Sequence, residues 1–499
     1  MAIAMPQTTF PGARIGLGAL MAAYAALLFV LIGAVPGGSD NSGYFNEARL
    51  FSRGRLHAPM RTLAGIPASE IPFLYVPLGF KPAADRSARL VPTYPPGLPL
   101  MLVAAASVAG WDHAGDALLL LHSIAGIALV FALGRSCGLP GGWSLAGAAI
   151  LAASPLYLYT SLQALSDVPA TVWATAAVVA ALRSRERGGW ALVSGLCISA
   201  AFLIRPNNVL IAVPVLAALG ASPRRWAWLA AGSLPGIVAW LVINRLAYGA
   251  ALESGYGAIG NEFHASLVPG TLLFYLRWLP LLLSPIVLIA PWIAALGRSA
   301  PRVSAVLFSW ALAYAAFFSA YRWTHEQWWF LRFLLPAAPA LIVAGLVVAH
   351  SWLGAAAKRG PGAPRRVLPL VLLAAAIGVE FGQTRPLREA WYIGHGERKY
   401  GRVSAWLNAH IPADSAIALS QNSGAMYYFT QFTLLRYEEM SPRVSDRVAG
   451  ILRSEGRPLY AVLFPFEVEQ LKKLPGRWTR VVSVDDVSVW RSDLEQASR

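Results

Sequence analysis

Two carboxylates, Asp40 and Asp167, stand beside apolar runs, where a bilayer would give way to water. Asp40 lies just beyond the run 15–35, in PGGSDNSGYFNEARLFSRGRL, and Asp167 lies in YTSLQALSDVPATVW. Carboxylates that converge at one membrane face could take a proton from a hydroxyl and serve glycosidic chemistry. Each has a plainer reading too. Asp40 suits a solvated loop, and Ser166 or Asp167, with Pro169 behind it, suits a helix cap. Phosphate-binding candidates are Arg205 in FLIRPNN, and Arg322 and Arg332, which flank WTHEQWWFL. A charge at the end of an apolar run is costly unless paired or wet, so phosphate binding competes with snorkelling for Arg205. Trp323, Trp328 and Trp329 read as an interfacial belt or as the lining of a lipid or sugar path. His325 and Tyr256 are candidate substrate contacts; a surface histidine and a Gly-rich loop are the plainer alternatives.

The elements that must hold these residues are membrane helices. The 499 residues are 56% hydrophobic and 13% charged, with mean hydropathy +0.52, against about 25% charged in soluble proteins. That excludes a soluble globular protein and points to a polytopic one. Cys137 and Cys197 fall in or beside apolar runs and form no disulfide framework or metal cluster. The net charge of +16 sits mainly in residues 1–385, which carry 26 Lys/Arg against 12 Asp/Glu. Because the excess lies in short loops between apolar runs, it points to membrane topology and anionic lipid or phosphate, not to nucleic acid.

About eleven spans are expected, at 15–35, 116–134, 142–159, 168–183, 189–204, 207–221, 226–247, 271–296, 303–320, 333–352 and 366–384. The first is too long for a signal-peptide core and is kept as a span. The run 97–110 is short and opens with Pro-Pro-Gly, so it is expected at the interface or re-entrant. With that run not crossing, 13 basic residues from Arg14 to Arg366 share one side, with Glu186 alone as acidic company. The positive-inside rule makes that side the cytoplasm. The N-terminus is then cytoplasmic. The first loop, 36–115, and the region 386–499 lie outside.

A loop of that length between spans is usually functional. Its FNEARLFSRGRL reads as an amphipathic helix bearing Arg49, Arg53 and Arg55 beside lipid phosphates. In 386–499 a helix is expected near 398–410. AIALSQ, AMYYFTQFTLL, PLYAVLFP and VSVDDVSVWRS read as strands and EVEQLKKL as a short helix, together a small α/β domain. No nucleotide-binding fingerprint appears.

An ordered series runs through 1–385: SDxxxYxxxARLxxxGRL after the first span, YPPG opening a juxtamembrane helix, SPLYLYTSLQALSDVPA, FLIRPNNVLIAVP and RFLLPAAPAL. It resembles the GT-C superfamily of membrane glycosyltransferases, in the bacterial branch near protein O-mannosyltransferases and aminoarabinose transferases. The resemblance implies a GT-C-like transmembrane catalytic domain, 1–385, and a soluble extracytoplasmic domain, 386–499. It implies an inverting polyprenyl-phosphate-sugar-dependent hexosyl- or pentosyltransferase in a bacterial plasma membrane, with a lipid, glycan or protein acceptor. Asp40 would be the catalytic base and Asp167 the second acidic residue. Arg205, Arg322 and Arg332 would meet the donor phosphate, and Tyr44, Tyr94, Tyr256 and His325 the substrates. Two positions depart from the pattern. Thr93-Tyr94 stands where aminoarabinose transferases carry a Lys before Pro-Pro, and Asp40-Asn41 stands where O-mannosyltransferases carry Asp-Glu. With one carboxylate fewer, no metal site is assigned; no cofactor is certain, and a divalent ion stays open. The competing class is a secondary transporter or flippase, which would show repeated halves and polar groups at mid-membrane.

Overall fold

The computed structural model describes residues 11–85, 87–257, 259–357, 378 and 384–495. Its helices follow the apolar runs: α1 (Pro11–Leu31), α4 (Ala114–Ser136), α5 (Gly141–Ala153), α6 (Pro155–Ser161), α7 (Asp167–Arg183), α8 (Trp190–Ile204), α9 (Ala212–Leu219), α10 (Pro223–Tyr248), α11 (Val268–Leu282), α12 (Pro301–Ser319) and α13 (Ala338–Ala357). Between α1 and α4 come α2 (Ser39–Phe51), α3 (Gly97–Ala109) and a three-stranded sheet of β1 (Ala58–Pro59), β2 (Phe80–Pro82) and β3 (Arg89–Pro92).

Among the described residues six helices are long and apolar enough to cross a membrane, or seven if α5 and α6 count as one bent span. Expected spans from 15–35 to 333–352 coincide with helix, while 366–384 lies almost wholly outside the described residues. Two expected spans are broken. The run 142–159 bends by 62° between α5 and α6, and 271–296 divides into α11 and the 3-10 segment Pro285–Arg298. Both breaks fall at Ser-Pro pairs, Ser154-Pro155 and Ser284-Pro285, because a residue before proline is pushed out of helical geometry. The breaks lie side by side, since Ser154 Oγ donates to Leu282 O at 2.5 Å. The run 97–110 is the 13-residue α3, packed on α2, α4 and α8.

The C-terminal region comprises α14 (Thr384–His410), α15 (Ser423–Phe429), α16 (Pro442–Ser454) and a sheet of β4 (Ala416–Leu419), β5 (Thr433–Arg436), β6 (Leu459–Leu463), β7 (Arg477–Val484) and β8 (Val487–Asp493), in the order β5-β4-β6-β8-β7. Strand β4 pairs parallel with β5 and β6, and β8 antiparallel with β6 and β7. Two strand expectations are corrected. AMYYFTQFTLL is helix α15 followed by β5. Its Ala425 and Met426 fill the sheet's core while Tyr428 packs toward α2, a two-sided contact that favours helix over local strand propensity. VSVDDVSVWRS is the hairpin of β7 and β8, turned at Asp485, whose φ is +54°. The segment EVEQLKKL falls in the 3-10 helix Pro465–Lys473, with its last residue, Leu474, as the C-cap.

This region shares its core with the first loop. Leu63, Ile66, Leu74 and Leu90 pack in one cluster with Ala416, Leu435, Val448 and Leu463. Helix α2 is correspondingly no interfacial ribbon, because α15 covers it and Asn41–Ala48 are buried. Arg49 therefore meets protein where lipid was expected. Its guanidinium lies 3.4 Å from the centre of the Tyr428 ring and donates to Tyr428 O at 2.8 Å.

Candidate active site

Three helix ends and a 3-10 segment meet around the start of α2. The first turn of α2 carries Asp40. Helix α7 begins with Ser166 and Asp167, and α8 ends at Arg205, forced out of helix by Pro206. The 3-10 segment Trp328–Ala337 supplies Arg332. Arg332 Nη2 donates to Asp40 Oδ2 at 2.6 Å, and its Nη1 lies 3.7 Å from Asp167 Oδ2. Arg205 Nη2 lies 2.8 Å from Asp167 Oδ1, and its Nε donates to Ser166 Oγ at 2.8 Å. The result is a chain of alternating charge: Asp40, Arg332, Asp167, Arg205. Phe333 lies beneath both guanidinium groups, its ring centre 5.6 Å from Arg205 and 5.4 Å from Arg332.

The capping alternative for Asp167 has little support. Ser166 makes no side-chain cap bond; its hydroxyl instead accepts from Arg205 and from Tyr44 Oη at 2.9 Å. Asp167 is fully enclosed, whereas the Asp40 side chain is 30% exposed. Leaving a carboxylate dry is affordable only beside cations, and Asp167 has two. Its oxygens and the buried Arg332 Nε form no well-aligned hydrogen bond within the protein, so donor and acceptor capacity remains at the centre of the cluster.

Asp40 is also held by Tyr94, whose hydroxyl donates to its Oδ1 at 2.7 Å. Burial pushes the Asp40 carboxyl up, but Arg332, the Tyr94 hydrogen bond and Arg205 outweigh it and hold Asp40 below its ordinary value. Gly43 lets Tyr94 approach, since a Cβ there would stand 2.3 Å from the Tyr94 ring. Tyr44 packs on Tyr94 with ring centres 4.7 Å apart, and Tyr256, on an exposed loop, meets the other side of Tyr94 at 6.1 Å.

The structure thus gathers Asp40, Asp167, Arg205, Arg332, Tyr44 and Tyr94, with Tyr256 at the edge. It does not bring Arg322 or His325 into this network. Arg322 is exposed, its guanidinium 5.2 Å from the Trp323 ring centre, and His325 ends the same 3-10 turn with a buried, unpartnered Nδ1. Trp328 is not part of a belt. It is buried and donates to Glu389 Oε2 at 2.7 Å. Among the described residues no three His, Cys, Asp or Glu side chains gather as metal ligands. Sequence reasoning missed Ser166 as an acceptor in the cluster, and missed Glu397, which α14 brings to the start of α2. For Ser166 the signal was its place beside Asp167. For Glu397 there was none, because the contact spans more than 350 residues.

No protein-family model and no curated protein matches the sequence. Solved structures do match. ArnT from Cupriavidus metallidurans in the apo state aligns over 98% of this chain and 100% of its own, with TM-score 0.57 and 15% identity. The same protein bound to undecaprenyl phosphate aligns over 96% and 98%, with TM-score 0.55 and 14% identity. The apo oligosaccharyltransferase from Archaeoglobus fulgidus aligns over 91% of this chain and 70% of its own, with TM-score 0.53 and 12% identity. The chain therefore has the fold of the GT-C membrane glycosyltransferases and is a multi-pass membrane protein.

Proposed function

We propose that this fold carries an inverting glycosyltransferase, which moves a hexosyl or pentosyl group from a polyprenyl-phosphate-linked donor to an extracytoplasmic lipid, glycan or protein hydroxyl. One observation supports the reading above all. Two arginines are fixed by a dry aspartate, Asp167, directly beside a second aspartate, Asp40, that solvent can reach. That is an anion-binding pair next to a base.

In the proposed reaction Asp40 accepts the proton of the acceptor hydroxyl. The acceptor oxygen bonds to the anomeric carbon as the bond from that carbon to the phosphate oxygen breaks. The electron pair leaves with the polyprenyl phosphate. Arg205 and Arg332 take up the charge gathering on that phosphate, the kind of preorganised stabilisation whose loss typically costs about 10²–10³ in rate. Asp167 keeps both arginines in place without touching substrate. Arg332 also has a gating effect. A phosphate drawing its guanidinium away from Asp40 would weaken the partner that most depresses the Asp40 carboxyl, making it a better base once donor is bound.

The tyrosines support substrate contacts: Tyr94 orients Asp40, and Tyr44 and Tyr256 flank Tyr94. Arg322 and His325 stay candidates for the outer rim. The proposed setting is a bacterial plasma membrane, with a cytoplasmic N-terminus, 1–385 as the catalytic membrane domain and 386–499 as an outer soluble domain. The transporter alternative gains nothing from the charges, since Asp167 and Arg205 lie at helix ends on one side.

The test is transfer in liposomes, using undecaprenyl phosphate linked to radiolabelled mannose, glucose, galactosamine or aminoarabinose, with a bacterial membrane extract as acceptor. Wild type should transfer label from at least one donor, and folded Asp40→Asn should not. Equal transfer by both would remove Asp40 as the base.

A further inference from the structure

The chain leaving α1 reaches Asp40 through GAVPGGSD, residues 33–40, a stretch with three glycines and little intrinsic stiffness. A base on such a lead needs external fixation, because a misplacement of about 1 Å can cost about 100-fold in rate. Helix α14 contacts both ends of this lead from one face, while between them Gly33 N donates to Leu162 O at 3.0 Å and Ala34 N to Asp116 Oδ1 at 2.9 Å. Gly394, Glu397 and Arg398 are spaced i, i+3, i+4 and share one helix face. Gly394 allows backbone-to-backbone approach, since a Cβ there would stand 2.0 Å from Leu31 O. Arg398 Nη2 donates to Ile32 O at 2.6 Å. Glu397 Oε2 accepts from Gly38 N at 2.8 Å and from Asn41 Nδ2 at 2.7 Å.

Gly38 is the residue that caps α2, and Asn41 follows Asp40 in its first turn. The two donors to Glu397 thus bracket Asp40 in sequence. Gly38 and Ser39 carry no side-chain cap of α2 of their own, and the Glu397 carboxyl oxygen is the acceptor that ties down this helix start. The carboxylate is buried, with 7% of the residue exposed, and it rests against Gly37, where a Cβ would overlap its Oε2.

We infer that Glu397 is a positioning residue for transfer: it fixes the first turn of α2 so that Asp40 stays in register with Arg332 and Tyr94. The C-terminal region is then part of the catalytic unit. The catalytic half of this inference rests on the proposed function. The positioning half does not.

The experiment uses the full chain in liposomes and two readouts. The first is amide hydrogen exchange over residues 37–44, with the helix α12 as an internal reference. The second is kcat and KM for the four-donor panel above. Glu397→Ala should speed exchange in 37–44 alone, lower kcat by about 10–100-fold and leave the donor KM within about threefold, since the phosphate-binding arginines are untouched. Glu397→Gln keeps one carbonyl oxygen able to accept from both Gly38 N and Asn41 Nδ2, as Oε2 does now, so it should restore slow exchange and most of kcat. Gly37→Ala, which crowds the carboxylate without removing it, should resemble Glu397→Ala and covers the case in which that variant misfolds.

Unchanged exchange in both Glu397→Ala and Gly37→Ala would overturn the inference. So would faster exchange with kcat intact. Loss of kcat in Glu397→Gln equal to that in Glu397→Ala would overturn it as well, by assigning the effect to the charge and not to the hold on α2. If wild type transfers from no donor, the proposed function fails, and the exchange result alone decides whether α14 holds the first turn.

Discussion

The two ends of the helical bundle use arginine in opposite ways. At the Asp40 end, Arg205 and Arg332 are enclosed and locked to Asp167 and Asp40. At the far end of α7 and α8, Arg185, Arg224 and Arg225 line an open cleft with Ser184, Ser222 and Trp228, and among the described residues they form no ion pair. The lesson is about cost. Enclosed cations need carboxylates to offset desolvation, which is why this cluster is the candidate site. Solvated arginines need no partner, and in the proposed topology their role would follow from number and side. Equal residue types thus carry very different sensitivity to substitution.

The largest effect should come from Asp40→Asn, with transfer falling by about 10²–10⁴, the range of a lost general base. Next is Arg332→Gln, about 10²–10³ in kcat. It has a further signature. Burial raises the Asp40 carboxyl and Arg332 lowers it, so without Arg332 the acid limb of the rate profile should move to higher pH, because the proposed base would act only when ionised. A pH–rate profile that keeps its acid limb in place would break the coupling between these two groups.

Asp167→Asn strips buried Arg205 of its carboxylate partner and Arg332 of its second one, and should destabilise by about 3–5 kcal/mol, the usual cost of breaking a buried pair. Thermal unfolding in detergent checks it, and a shift no larger than that of a surface variant would contradict the holding role. Gly43→Ala should be milder. The new methyl displaces Tyr94 and should lower kcat several-fold with the protein still folded. Smallest is the opposite end: Arg224→Gln with Arg225→Gln should leave the kcat of correctly inserted protein within about twofold, since charges that solvent reaches, exposed at Arg224 and half-buried at Arg225, contribute little. A large kcat loss there would erase the contrast between the ends.

Much of this was legible because hydropathy and helix ends are local properties. Asp40, Asp167, Arg205 and Arg332 could be picked out since each sits where an apolar run stops, and helix ends at one membrane face are close in space. The Ser-Pro breaks were also written in the sequence, but continuous hydropathy across Ser154 and Ser284 concealed them. Arg322 lies ten residues from Arg332 and has the same flanking aromatics, yet the intervening 3-10 turns leave it exposed over Trp323. Spacing alone does not resolve such a turn. The burial of α2 was not legible at all. Its amphipathic pattern fits a lipid surface and a protein roof equally, and the roof, α15, lies hundreds of residues away in a segment whose strand propensity hid the helix.

The most direct test of the central claim is donor-dependent transfer by wild type and Asp40→Asn side by side in liposomes, each shown to be folded by its unfolding curve. The account predicts label transfer from at least one polyprenyl-phosphate sugar by wild type and none above background by Asp40→Asn. Equal transfer by the two proteins, or none by wild type from any donor in the panel, would contradict it.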